Sequence, residues 1–251
     1  MKPPSTSSKI EASFRKKKKK DKKVKNAYLL VQSDKLNIGL QVAEGANGNI
    51  QSNPAQPIHL ASVGKLFTAT LISILHEKDK LDFNDSISKY LDAALMEGLH
   101  VYKGNDHSGE ITIKHLLKQT SGLNDVFYHL WKRMIKDPEF KITTRDAILW
   151  GKAHLKPVAT PGKKHFYTDT NYYLLGLIIE NITGKMFHEV MHELIFEPLE
   201  MKHTYLHGFS KPKVVSAYST ASLFFKGTDF LSIEGVPHID YAGGSVVAPL
   251  D

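Results

Sequence analysis

The chain has 251 residues and an apolar content of 41%, enough for one large domain or two small ones, which excludes a wholly disordered or fibrous protein. It has no cysteine, so disulfides, thiolate metal sites and a thiol nucleophile are excluded. The net charge of +7 is unevenly spread: the first 25 residues hold eleven of the 33 basic and two of the 26 acidic residues, so they carry +9 and the rest −2.

Residues 1–25 are rich in Lys, Ser and Pro and read as a basic, disordered leader, with one domain over residues 26–251. A charge block of this kind, Lys16–Lys20 above all, suits polyanions or an acidic membrane, but the reading is a solvated tail, and no nucleic-acid partner is expected. No apolar run follows the positive charges, so the start does not read as an export signal. Nothing later reaches the roughly 18 consecutive apolar residues of a membrane-spanning helix.

Two strand-like runs come next, Ala27–Val31 and Leu36–Val42, with Ser33-Asp34-Lys35 as the turn between them. From Ser62 the period becomes helical: Val63, Leu66, Phe67, Thr70, Leu71, Ile74 and Leu75 recur at spacings of three and four. Further helices are expected at Thr112–Gln119, Asp125–Lys136, Thr144–His154, Asn171–Thr183 and Phe187–Phe196. Gly184 and Pro198 supply the stops for the last two. One more short strand run lies near Val246. A strand pair followed by a long helical stretch gives an α+β class.

His59-Leu60-Ala61-Ser62-Val63-Gly64-Lys65 leads straight into the apolar helix. Ser62 and Lys65 are three apart, so at a helix start they share a face. A serine hydroxyl is a weak nucleophile until a base takes its proton, and a partly buried lysine can be that base. Taken alone, the pattern reads better as a serine cap beside a solvated lysine.

Four blocks in consistent order give it context. Ala61–Ala69 with Leu81–Asp85 and Lys89–Leu91 is the first, and Ile111–Leu123, ending Thr-Ser-Gly-Leu, the second. Pro161-Gly162 with Phe166–Tyr172 and Leu174–Gly176 is the third, and Phe196–Met201 the fourth. Together they resemble the serine β-lactamase and penicillin-binding-protein superfamily from about Ala27 to Asp251. The resemblance implies the β-lactamase/transpeptidase-like fold, a helical region on an antiparallel sheet. It also implies a hydrolase that forms an acyl-enzyme on Ser62, with Lys65 and Tyr167 handling protons. Tyr167-Thr168-Asp169 matches the Tyr-x-Asn element of class C β-lactamases and carboxypeptidase-like esterases, with Asp169 in place of asparagine. An acid there is expected to pair with Lys65 and hold it charged. The implied substrate is a small molecule or peptide with a carbonyl centre: a β-lactam, a D-amino-acid peptide or an ester. No metal or organic cofactor is required.

Ala242-Gly243-Gly244-Ser245 resembles the family's Gly-Gly turn, after which a strand with Lys-Thr-Gly or His-x-Gly is expected and is not found by Asp251. The domain therefore reads as C-terminally truncated, with an incomplete sheet and one of its two oxyanion donors, the Ser62 N–H. Asp169 and the incomplete sheet leave a rival, a catalytically impaired binding protein on the same scaffold. His188-Glu189-Val190-Met191-His192 fits the zinc-protease pattern H-E-x-x-H, but its continuation Glu193–Pro198 lacks a third histidine, and the stretch reads as a packing helix. His59, His115 and His203 show no partner pattern.

Overall fold

The structure, a computed structural model, describes residues 5–47 and 50–250. It opens with a helix, α1 (Thr6–Lys20), where a disordered leader was expected. The Ser5 hydroxyl caps it by accepting the Ser8 N–H at 3.2 Å, and Glu11 and Arg15 pair across one turn. Lys17–Lys20 fill the last turn, where the helix dipole favours cations. Ser7, Ile10, Glu11, Phe14 and Lys18 recur at helical spacing and are half-buried, and α1 lies against the sheet rather than free in solvent. Two apolar side chains one turn apart, Ile10 and Phe14, lie on that face, and Arg15 pairs with Glu44 of the sheet.

The sheet it meets is the predicted hairpin, β1 (Asn26–Ser33) and β2 (Ile38–Asn47), extended by β3 (Ile50–Gln51). The pairing Ser33↔Ile38 makes the loop four residues, Asp34–Asn37, with Asn37 left-handed at φ 46°. Leu36, expected in the strand, is therefore in the turn and exposed.

A second sheet joins β4 (Ile58–His59) to strands from the chain's far end. After β5 (Val101–Tyr102) and β6 (Asn105–Asp106), a small hairpin, come β7 (Tyr205–Leu206), β8 (Phe224–Phe225), β9 (Thr228–Asp229) and β10 (Val246–Ala248). The strand run near Val246 is thus present, and β10 lies between β4 and β7, antiparallel to both. β8 and β9 form a hairpin of their own.

The helices are α2 (Gly64–Glu77), α3 (Ala93–Met96), α4 (Ile113–Leu117), α5 (Phe127–Lys136), α6 (Thr144–His154), α7 (Thr170–Thr183), α8 (Phe187–Met191) and α9 (Val236–Gly244). The last run ends in a π-helical turn, His192–Phe196. α7 is the axis of the core and packs on α2, α4, α6, α8 and α9. Leu174, Leu175, Ile178 and Ile179 are fully buried on it, each stabilising the fold by about 1.5–3 kcal/mol. Gly184, at φ 68°, ends it as predicted. α2 differs from its expected face. Its buried stripe runs through Lys65, Thr68, Leu71, Ile72 and Leu75, because α7 and α9 pack there, and Val63 and Leu66 stay exposed. No helix among the described residues is long and apolar enough to cross a membrane.

Candidate active site

β4 delivers the chain to Ser62. The Leu60 N–H donates to Val246 O at 2.8 Å, and a single 3₁₀ turn, Ala61–Val63, feeds α2. Ala61 is left-handed at φ 47°, a conformation a non-glycine residue holds only when its surroundings impose it. One imposing contact is visible: the Ala61 N–H donates to His59 Nδ1 at 3.1 Å. That bond makes Nδ1 the acceptor and leaves the ring proton on Nε2, which lies 2.8 Å from Asp240 Oδ2. Both side chains are buried, so this pair fixes the turn before the nucleophile from beneath. From the other side, the turn meets Gly244. A Cβ there would stand 2.3 Å from Asp240 Oδ1 and 3.1 Å from the Ala61 carbonyl carbon, so only glycine allows the approach.

Lys65 is 7% exposed and carries three short contacts. Its Nζ donates to Ser62 Oγ at 3.3 Å, to Gly243 O at 2.8 Å and to Asp169 Oδ1. The three donors of an ammonium thus meet three acceptors. The rings of Tyr167 and Tyr172 lie 5.0 Å and 5.3 Å from the same nitrogen, within cation–π range. Burial by itself pushes the Lys65 amine down, but the Asp169 charge and hydrogen bond, with smaller help from Tyr167, outweigh it, and the balance lies above the ordinary lysine value. Burial raises Asp169 to about 6 against the pull of Lys65. Above that pH the two form an ion pair.

The Tyr167–Asp169 loop is held by the Thr-Ser-Gly-Leu block. Gln119 is the clamp: its Oε1 accepts the Thr168 N–H at 3.1 Å and the Asn171 side chain at 2.6 Å, and its carbonyl accepts the Phe166 N–H at 2.8 Å. Ser121 donates to Asn171 at 2.6 Å. Asp125, expected inside a helix, instead precedes α5, and its Oδ1 accepts the Asp169 N–H at 2.9 Å and the Thr168 hydroxyl at 3.1 Å.

These groups open on a cavity of about 230 Å³ lined by Ser62, Tyr167 and Asp169, by His59, Asp125 and Asp240, and by a wall of apolar side chains. The four expected site residues, Ser62, Lys65, Tyr167 and Asp169, are therefore in one place. Ser62 and Tyr167 are exposed to the cleft and Lys65 lies under them.

The sequence from residue 16 to residue 222 matches the model of the Beta-lactamase family. The chain belongs to this family. Its fold is that of the family's solved structures: the octameric penicillin-binding protein homologue from Pyrococcus abyssi superposes with a TM-score of 0.76 at 24% identity, covering 96% of this chain and 53% of that one. The D-amino acid amidase from Ochrobactrum anthropi SV3 superposes with a TM-score of 0.68 at 20% identity, covering 89% of this chain and 60% of that one. Among curated proteins, Protein flp of Staphylococcus aureus (strain MW2) is 34% identical over 155 residues, which is 62% of this chain and 29% of flp. The chain thus spans less than a third of that relative's length. The family is one of serine hydrolases.

Sequence reasoning missed the supporting groups of this β-lactamase-family site. His59 has a partner after all, since Asp240 reaches it from 181 positions downstream. His115 closes a capping box with Thr112 at the start of α4, and His203 Nδ1 lies 2.8 Å from the Val214 carbonyl. The H-E-x-x-H side chains have structural jobs: Glu189 accepts the Met186 N–H at 2.9 Å, and His192 Nε2 meets Ser210 Oγ at 2.9 Å. Local spacing could have found the His115 cap; the His59–Asp240 pair leaves no local signal.

Proposed function

We propose that the chain carries the acylating site of a serine hydrolase that cleaves an amide or ester through an acyl-enzyme on Ser62. The observation that carries this reading is the buried Lys65 Nζ at 3.3 Å from Ser62 Oγ, at the edge of an open cleft that also holds Tyr167. In the proposed step Ser62 Oγ attacks the carbonyl carbon, and its proton passes to Lys65 once that residue is in the free-amine form. Tyr167 returns a proton to the departing nitrogen or oxygen, and water then releases the acyl group. Asp169 and Gly243 O fix the lysine in place, and the Ser62 N–H supplies part of the oxyanion hole. Peptides and esters of the carboxypeptidase-like branch are the favoured substrates, ahead of β-lactams. The similarity to a D-amino acid amidase leans the same way.

A second reading, a binding protein that holds its ligand without turning it over, is favoured by one observation: Asp169 takes the place of asparagine and keeps Lys65 protonated. One experiment decides between them. The chain is incubated with a fluorophosphonate and, separately, with a penicillin, and any adduct is located by peptide mass spectrometry. The hydrolase reading expects the fluorophosphonate on Ser62 and none in Ser62→Ala. A chain that stays unlabelled across the pH range overturns the hydrolase reading for this chain.

A further inference from the structure

The wall of the cleft facing Ser62 is aromatic, and its rings belong to no part of the acylation machinery. Phe127 and Tyr128, at the start of α5, meet Phe225 of the β8–β9 hairpin at ring distances of 6.1 Å each. Phe230 closes the group at 6.1 Å from Phe127 and 6.3 Å from Phe225, and its other edge lies 5.8 Å from the His59 ring. Most of these contacts are edge-to-face or tilted, the arrangement aromatic rings prefer. Behind them Trp131, fully buried, supports Phe225 at 5.4 Å and Phe230 at 5.2 Å, so the wall is preformed.

Phe230 is buried and forms the floor of the group, but a core cluster would bury the other rings too, and these are only partly buried. Tyr128 is 49% and Phe224 42% exposed, and Phe127, Leu223 and Phe225 are half-buried around the same empty volume. Exposed apolar side chains gathered around a cavity mark a binding surface. A dry apolar cavity of about 150 Å³ is enough to take up benzene. The 230 Å³ here is large enough for one ring and a short linker to a carbonyl at Ser62.

We propose that Ser62 is acylated selectively by carbonyl compounds carrying an aryl group a short linker away from the reacting carbon, with that ring seated among Phe127, Tyr128, Phe225 and Phe230. This rests on the serine-hydrolase reading and names its substrate class. The whole 251-residue chain is given S-methyl 3-phenylpropanethioate and S-methyl hexanethioate, neither with a ring in its leaving group, and the burst of released thiol is timed for each, beside labelling with a small fluorophosphonate; the chain has no cysteine to interfere. The aryl thioester is expected to acylate at least about 10-fold faster than the alkyl thioester of similar reach, as one aromatic contact contributes on this scale. Tyr128→Ala removes an exposed ring, and Phe225→Leu keeps apolar bulk without a ring; each should lower the aryl-to-alkyl ratio several-fold. Equal rates for the two thioesters, or a ratio unmoved in both variants, overturns the aryl inference; with the fluorophosphonate on Ser62, the hydrolase reading stands. No burst and no adduct overturns both.

Discussion

Asp169→Asn is the substitution that tests the electrostatics of the site most directly. Asparagine has the same shape and still offers Oδ1 to Lys65, but it removes the charge that now outweighs burial. An opposite charge at this range moves a titration by about 1–3 pH units, each worth about 1.36 kcal/mol. Without it, burial acts unopposed and pushes the Lys65 amine down. If Lys65 must lose its proton to serve as base, the rising limb of acylation against pH moves down by about 1–3 units. At a fixed pH below both limbs, Ser62 is then labelled about 10- to 1000-fold faster than in the native chain. The assay is the second-order rate of fluorophosphonate labelling from about pH 5 to 10 for both proteins. Stability supplies a second readout. The folded state holds the Asp169 proton more tightly than the unfolded chain, since its value is about 6 against an ordinary 3.8. That group's contribution is therefore full below about pH 4 and is lost as pH rises through about 6, and this slope should vanish in the variant. A labelling limb that stays where it is, or moves up, refutes the idea that the Lys65 proton limits the reaction.

Three further substitutions follow from single contacts. Ser62→Ala should abolish the adduct and leave the melting temperature within about 2 °C, because Ser62 is exposed and its hydroxyl supports no packing. His59→Ala removes the acceptor of the Ala61 N–H and strands Asp240 in a buried place; denaturant unfolding should show a loss of about 2–4 kcal/mol, with labelling of Ser62 slowed at least about 10-fold. Gln119→Ala leaves the Thr168 N–H and the Asn171 amide without their acceptor. It should lose about 2–4 kcal/mol by the same measurement and slow acylation through the loosened Tyr167 loop.

The parts of the fold legible in the sequence were those that local periodicity encodes. β1, α6 and α7 were within two residues of their predicted ends, since alternation, helical spacing and the Gly184 stop act over one or two turns of chain, whereas β2 runs on past Val42 to Asn47. α1 was not legible, because its docking rests on two half-buried apolar residues, Ile10 and Phe14, and an ion pair from Arg15 to Glu44 of β2, within a run dominated by lysine charge. The buried face of α2 was misjudged for a related reason. Apolar spacing favoured Val63 and Leu66, yet the neighbours of the helix are set by α7 and α9, which receive Lys65 and Thr68 instead; the Thr68 hydroxyl donates to Ala242 O at 2.7 Å.

The same division runs through the site. Ser62 and Lys65 are one helical turn apart, so their proximity is a property of the chain itself, and Tyr167 and Asp169 were reached through an ordered set of family blocks. What sets their chemistry comes from farther away: Gly243 O is 178 residues from Lys65, and Asp240 is 181 from His59. Asp240 carries no motif of its own, and the Gly-Gly turn that holds Gly243 gives no sign of what its carbonyl meets, because each role is only to be polar, buried and aimed at one atom. The left-handed Ala61 makes the point sharply. Its strain is invisible in an Ala-Ser dipeptide, and it persists because a histidine on β4 holds the Ala61 N–H, an aspartate on α9 meets that histidine, and a glycine at the end of α9 approaches the Ala61 carbonyl. A change at any of the three should therefore reach Ser62 without touching it, and the His59→Ala labelling rate is where that coupling is measured.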